Sequence, residues 1–233
     1  MSNFTIRITP QSGAVLFDMD GTLADTDPLH AKAWQLVAAK NFGITFSWEA
    51  YRDACLIEGI SPIDFIERFG ADVRATEIAE DKARIFRQLV EQGLTLLAGV
   101  TDFIALIDRA GIPMGIVSSS SRRSVDTFVS SLWPARPPAV TVSREDTLHQ
   151  KPSPEPYLFA LEHLRREPRA CLAVEDTNRG ILSASRAGLP TIKVSMDAVG
   201  PPVAADLVVA DLRALEIMSD GQGAILIAGK SDP

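Results

Sequence analysis

Ala14-Val15-Leu16-Phe17-Asp18-Met19-Asp20-Gly21-Thr22 is the stretch of this 233-residue chain from which the fold is read. Its first half is an unbroken apolar run, the pattern of a strand buried on both faces, and the run ends in two carboxylates two residues apart. Met114 to Val117, Cys171 to Val174 and Thr191 to Val194 have the same character, with Val140 to Val142 and Leu207 to Val209 as weaker examples. Helical patterns lie between them, at Val100 to Ala110, Ser124 to Leu132, Pro154 to Arg166, and Asn178 to Ala187 ended by Gly188. This alternation predicts an α/β fold, a parallel sheet flanked by helices on both faces. In such sheets ligands bind beyond the carboxyl ends of the strands, where Asp18 and Asp20 fall.

One stretch breaks the alternation. From Pro28 to Leu96 only helical patterns occur, so residues 28–96 are expected to form an inserted α-helical cap domain on a core made of 1–27 and 97–233. Asp27 followed by Pro28 reads as an N-cap with proline at the first helical position, Leu29, Ala33, Leu36 and Val37 as the apolar face, and Asn41-Phe42-Gly43 as the stop. The two linkers, near Asp27 and near Ala98-Gly99, place a hinge over the strand ends, where a lid would act. Residues 219–233, with the apolar run Ala224 to Ile227, are read either as a tail or as a late strand.

Composition narrows the function. The net charge is -7, with both signs interspersed, which disfavours nucleic acid or an anionic membrane as partner. There is no long apolar run and no leader pattern, so a cytoplasmic protein is expected, with monomer as the default state. Cys55 and Cys171 are too few and too far apart for a zinc site or a disulfide framework and read as thiols.

Four polar groups fall at predicted strand ends: Asp18-x-Asp20-Gly-Thr22, Ser118-Ser119-Ser120, Lys151-Pro152 and Glu175-Asp176. Asp-x-Asp-Gly alone is also an ordinary turn sequence, and Ser120, Ser121 and Ser124 are also helix-capping candidates. Taken together, the carboxylates converge at one sheet edge. Two of them about 4 Å apart repel by roughly 4 kcal/mol at an effective dielectric near 20, so the cluster calls for a cation. Oxygen ligands without His or Cys select magnesium over zinc. A serine hydroxyl and backbone amides at a helix N-terminus suit phosphate oxygens, with Lys151 as counter-charge on a stiff Lys-Pro-Ser-Pro loop.

This ordered set resembles the four motifs of the haloacid dehalogenase superfamily, over nearly the whole chain. The resemblance implies a Rossmann-like core, Mg2+ and a phosphoric monoester hydrolase in which Asp18 is the nucleophile and Asp20 the general acid and base. It further implies a metal held by Asp18, Asp20 (through its carbonyl) and Asp176 with Glu175 close by, and phosphate held by Thr22, Ser118, Ser119 and Lys151. Asp20 separates this chain from the dehalogenases and phosphonoacetaldehyde hydrolases, which lack that aspartate. The helical insertion and Val174-Glu-Asp-Thr-Asn-Arg-Gly180 resemble the beta-phosphoglucomutase-like branch. In the cap, His30 and Trp34 lie one turn apart on a helix, Glu58-Gly59-Ile60-Ser61 falls where that branch carries its specificity loop, and Lys82 and Arg122 are further candidates to face the cleft.

The expected substrate is a small phosphorylated metabolite of the sugar-phosphate type, hydrolysed through an aspartyl-phosphate. A sugar phosphomutase is the alternative. A receiver-like signalling domain fits less well, since it needs no large insertion and carries its acidic pair and its phosphorylated aspartate on different strands. Gly223 to Lys230 has five residues between its glycines where a P-loop needs four.

Overall fold

A computed structural model of the protein describes residues 4–73, 75–133, 137–194, 204–220 and 224–230. The apolar runs form the central strands of a six-stranded parallel sheet: β2 (Val15–Phe17), β3 (Met114–Val117), β4 (Val140–Val142), β5 (Leu172–Glu175), β6 (Thr191–Val194) and β7 (Leu207–Val209), in the order β4-β3-β2-β5-β6-β7. β2 lies between β3 and β5, with Phe17 beside Ile116 and Val174, so Asp18 emerges between the ends of those two strands.

Residue alternation along β2 feeds two cores. Val15 and Phe17 pack on one face with Phe103 and Ile107 of α5 (Val100–Arg109) and Val125 and Phe128 of α6 (Arg122–Leu132). Leu16 packs on the other with Tyr157, Ala160 and Leu161 of α7 (Glu155–Leu164) and Ala184 of α8 (Asn178–Arg186). The architecture is the Rossmann-like α/β core expected.

A second, antiparallel sheet was not expected: β1 (Thr5–Ile8), β8 (Leu215–Ser219) and β9 (Ile225–Gly229), in the order β1-β9-β8. Its inward residues Ile6, Ile8, Leu215, Ile225 and Ile227 join the first core. The late apolar run is therefore a strand; Gly223, the first glycine of the P-loop-like stretch, lies outside the described residues.

Residues 27–92 carry α1 (Asp27–Phe42), α2 (Trp48–Tyr51) running into a wider π-turn over Arg52–Ile57, α3 (Pro62–Glu67) and α4 (Ala75–Gln92). They bury a hydrophobic cluster of their own, with Ala33, Val37, Phe65, Ile66 and Phe86. Two details differ from expectation. The buried face of α1 is Ala31, Ala33, Val37 and Ala38, small residues that let α4 approach, and this turns Leu36 outward to 40% exposure. The N-cap position is Thr26 and not Asp27, and the Thr26 hydroxyl caps nothing because it is committed to Asp20. The linkers run side by side: Asp25 N–H donates to Thr95 O at 3.0 Å, and Leu97 N–H to Leu23 O at 3.0 Å. Both cysteines are free, and among the described residues no helix is long and apolar enough to cross a membrane.

Candidate active site

Asp18 is 8% exposed and sits at the carboxyl end of the central strand. The Lys151 ammonium reaches across to donate to Asp18 Oδ1, Glu175 Oε1 and the Val117 carbonyl, each at 2.6 Å. Burial lowers the affinity of Lys151 for its proton, but the two carboxylates outweigh it and hold the group above the ordinary lysine range. Burial pushes the Asp18 carboxyl well up, with Lys151 opposing and Glu175, Asp176 and Asp20 adding to the rise. Asp176 is pushed up to about 8, by burial first and Glu175 second. One ammonium therefore does not balance this set of carboxylates.

The loop that presents Lys151 is held by α8, the helix that follows the Glu175-Asp176 pair. Arg179 Nη2 donates to Lys151 O at 2.5 Å, Arg186 Nη1 to Pro152 O at 2.9 Å and Ser183 Oγ to Ser153 O at 2.5 Å. Three side chains from one helix face thus satisfy three consecutive carbonyls of that loop. Two glycines admit the carboxylates: a Cβ on Gly21, whose φ is 76°, would collide with Asp176 Oδ2, and one on Gly180 would collide with the Glu175 carboxylate.

Oxygens of Asp18, Glu175 and Asp176 lie within 4.8 Å of one another, and Glu175 Oε2 is buried without a partner among the described residues. Two buried carboxylates and a half-buried third, with an orphaned oxygen and no histidine or cysteine in the cluster among the described residues, suit a hard cation. Glu175 Oε1 is already taken by Lys151 and by the Tyr157 hydroxyl at 2.6 Å.

Asp20 faces the other way, toward the helical segment. It accepts from Thr26 Oγ1, from Ser120 Oγ at 2.6 Å and from His30 Nε2 at 3.1 Å. Lys82 Nζ lies 2.6 Å from His30 Nδ1, and His30 stacks on Phe86. An ammonium can only donate, so Nδ1 accepts and Nε2 carries the hydrogen given to Asp20. Burial alone would raise Asp20, but His30 and the hydrogen bonds from His30, Ser120 and Thr26 hold its carboxyl far below the usual range. Burial and then Lys82 lower His30, against Asp20. Lys82 itself comes down to about 8, mainly by burial, with Asp20 opposing and Arg144 adding to the fall.

Between core and helical segment lies a cleft of about 770 Å³ lined by, among others, Asp20, Asp27, Trp34, Tyr51, Ser119 and Arg144. His30, Ser61, Lys82 and Arg122 also line it, whereas Glu58 and Gly59 do not. The Ser61 hydroxyl caps α3 by accepting from Asp64 N at 3.1 Å, and Arg122 is tied to Asp146 and Thr141. Ser118 is buried and its hydroxyl accepts from Ser120 N at 3.0 Å; Thr22 Oγ1 stands 3.4 Å from Asp18 Oδ2. Sequence reasoning missed the hydroxyls of Thr26, Ser120 and Tyr157 as partners of the acidic groups, and Asp27, Tyr51 and Arg144 as cleft residues. Only Ser120 carried a signal, and it read equally well as a helix cap.

The sequence profile of the haloacid dehalogenase-like hydrolases matches residues 15–194, which holds all four strand-end groups. The chain belongs to that family. It is an enzyme of that family, and its named relatives include phosphatases. Protein CbbY of Cereibacter sphaeroides is 32% identical over 192 residues, covering 77% of this chain and 82% of the relative. Hexitol phosphatase A of Escherichia coli is 29% identical over 215 residues, covering 91% and 97%. Among solved structures, CbbY from Rhodobacter sphaeroides in complex with xylulose-(1,5)bisphosphate superposes with a TM-score of 0.76 at 27% identity, covering 86% of this chain and 95% of that one.

Proposed function

We propose that this family member is a magnesium-dependent phosphatase of small phosphorylated sugars, working through an aspartyl-phosphate on Asp18, with residues 28–96 as a lid on the core of 1–27 and 97–233. The observation that carries the reading is the Asp18, Lys151, Glu175, Asp176 cluster at the end of the central strand, with Asp20 two residues on and turned toward the cleft. The relatives' substrates support the choice of a sugar phosphate: one is a hexitol phosphatase, and another has been solved with a pentulose bisphosphate.

In this reading Lys151 pins the Asp18 carboxylate so that it attacks phosphorus in line. Thr22, Ser118, Ser119 and Lys151 hold the phosphoryl oxygens; Thr22, Ser118 and Lys151 are preorganised by burial, and Lys151 also by the clamp from α8. Asp18, Asp176, the Asp20 carbonyl and the adjoining Glu175 would hold Mg2+, which when bound supplies positive charge against the phosphoryl oxygens. Asp20 protonates the leaving oxygen, drawing on the His30 and Lys82 chain, and then takes a proton from the water that cleaves the aspartyl-phosphate. His30 thus acts through Asp20, while Trp34, Asp27 and Tyr51 form the sugar side of the cleft.

The test is phosphate release from a panel of phosphorylated sugars. EDTA should end turnover, and magnesium but not calcium should restore it, because calcium prefers looser, higher coordination. Full activity in calcium alone would count against the mechanism.

A phosphatase is favoured over a mutase because a mutase lid needs a cation for the phosphate that is not transferred. Among the described cleft residues the cap supplies only Lys82 as a formal cation, and it is spent on His30. The rim of the lid there is Ser61, Pro62 and Ile63. With beta-glucose 1-phosphate and a trace of glucose 1,6-bisphosphate, free phosphate should appear at least as fast as glucose 6-phosphate. Glucose 6-phosphate forming much faster would favour the mutase.

A further inference from the structure

The charged groups lining the cleft can be followed to their partners one by one. Arg122 is held by Asp146 and Thr141; Glu145 accepts from Arg122 N at 2.8 Å; Arg123 meets Glu80 at 3.3 Å across the junction of core and lid. Asp20 and Lys82 belong to the His30 network. Two charges are left among the described residues: the Asp27 carboxylate and the Arg144 guanidinium, neither with a hydrogen bond or ion pair to its side chain.

The Arg144 backbone is fixed on both sides. Its N–H donates to Ser120 O at 2.9 Å, and its carbonyl accepts from Gln150 Nε2 at 2.9 Å. Ser120 in turn donates to Asp20, so Arg144 stands two hydrogen bonds from the reacting centre, on the core side of the cleft. Its charge is also felt by Lys82 on the opposite wall, after burial and Asp20 in size. Two cations facing each other across an open cleft, one of them unpaired, repel until an anion lies between them.

We infer that Arg144 is the receptor for a second anionic group on the substrate, which makes the preferred ligand a phosphorylated sugar or sugar acid with a phosphate or carboxylate at its far end. This rests on the phosphatase reading and narrows its substrate class. The unpaired Asp27 carboxylate, beside Tyr51 in the same cleft, accepts hydrogen bonds from the hydroxyls between the two ends and repels an anion bound too deeply.

A matched series tests this: glucose 6-phosphate with a neutral far end, 6-phosphogluconate with a carboxylate and glucose 1,6-bisphosphate with a second phosphate. With magnesium present, kcat/KM should be about tenfold or more higher for the two doubly anionic compounds, the worth of one charge-assisted contact, and the gain should lie in KM. Whichever of the two is favoured identifies the far group. Arg144→Gln should bring the three values together, and Arg144→Lys should keep part of the preference. Equal kcat/KM across the series in the native protein, or a preference untouched by Arg144→Gln, would overturn the assignment. Calorimetric titration of the same compounds into the Asp18→Asn protein, with and without Arg144→Gln, reads binding apart from turnover. No phosphate release from any member would sink the phosphatase reading, whereas equal binding of all three would sink the Arg144 site.

Discussion

Asp18→Asn should lower kcat by at least about 10³-fold on any substrate the enzyme turns over, about 4 kcal/mol of added barrier. An amide oxygen is a poor nucleophile, and the asparagine cannot form the acyl phosphate, so the loss reflects chemistry. The variant should remain folded. Asparagine has the same shape, and removing the Asp18 charge relieves a carboxylate that burial and its acidic neighbours already destabilise. Lys151 keeps Glu175 Oε1 and the Val117 carbonyl. A single-turnover experiment with acid quench should show no phosphorylated protein. Retention of more than about a tenth of native activity, a deficit under ~1.4 kcal/mol, would show that another group attacks phosphorus.

Lys151→Met should be the most damaging change to stability in the site. The side chains of Lys151, Asp18 and Glu175 are 5%, 11% and 0% exposed, and without the ammonium two carboxylates face each other with no counter-charge. Removing one partner of a buried ion pair costs about 3–5 kcal/mol, which lowers Tm by about 10 °C in a chain of this size. Turnover should fall by at least about 10²-fold as well, since both the attacking carboxylate and the phosphoryl oxygens lose their fixed cation. Thermal melts in EDTA and in magnesium check the electrostatic cause. Magnesium should raise the Tm of the variant more than that of the native protein, because the ion is then the only positive charge available to the cluster. A variant that melts within about 2 °C of the native protein in EDTA would mean that Lys151 does not hold the carboxylates together.

Sequence was an efficient guide where burial is two-sided. Val15 to Phe17, Met114 to Val117 and Cys171 to Val174 are continuous apolar runs because helices cover both faces of the sheet. β1 has no such mark. Thr5-Ile6-Arg7-Ile8 is buried on alternate residues only, over four positions, too short a pattern to stand out. The acidic and basic groups at the strand ends could be found because residue type and strand end coincide. Their partners could not: Tyr157 sits in an ordinary amphipathic helix, and Thr26 and Ser120 are residue types that serve as caps far more often than as donors to a carboxylate. Arg144 lies on a short surface turn, where only the three-dimensional inventory of its neighbours marks it out.

The small antiparallel sheet sets an order of events on the ribosome. β1 is made long before its ladder partner β9, with Ile8 opposite Ile225 and Thr5 opposite Ala228. Until that late strand leaves the exit tunnel, β1 is an unpaired, half-apolar edge on a nascent chain, and the core face that Ile6 and Ile8 complete stays open. The parallel sheet and the helical segment can form meanwhile, but the last seam closes only once β9 has emerged. A chaperone that shields short extended segments would therefore find its target here at the first strand rather than at the catalytic core.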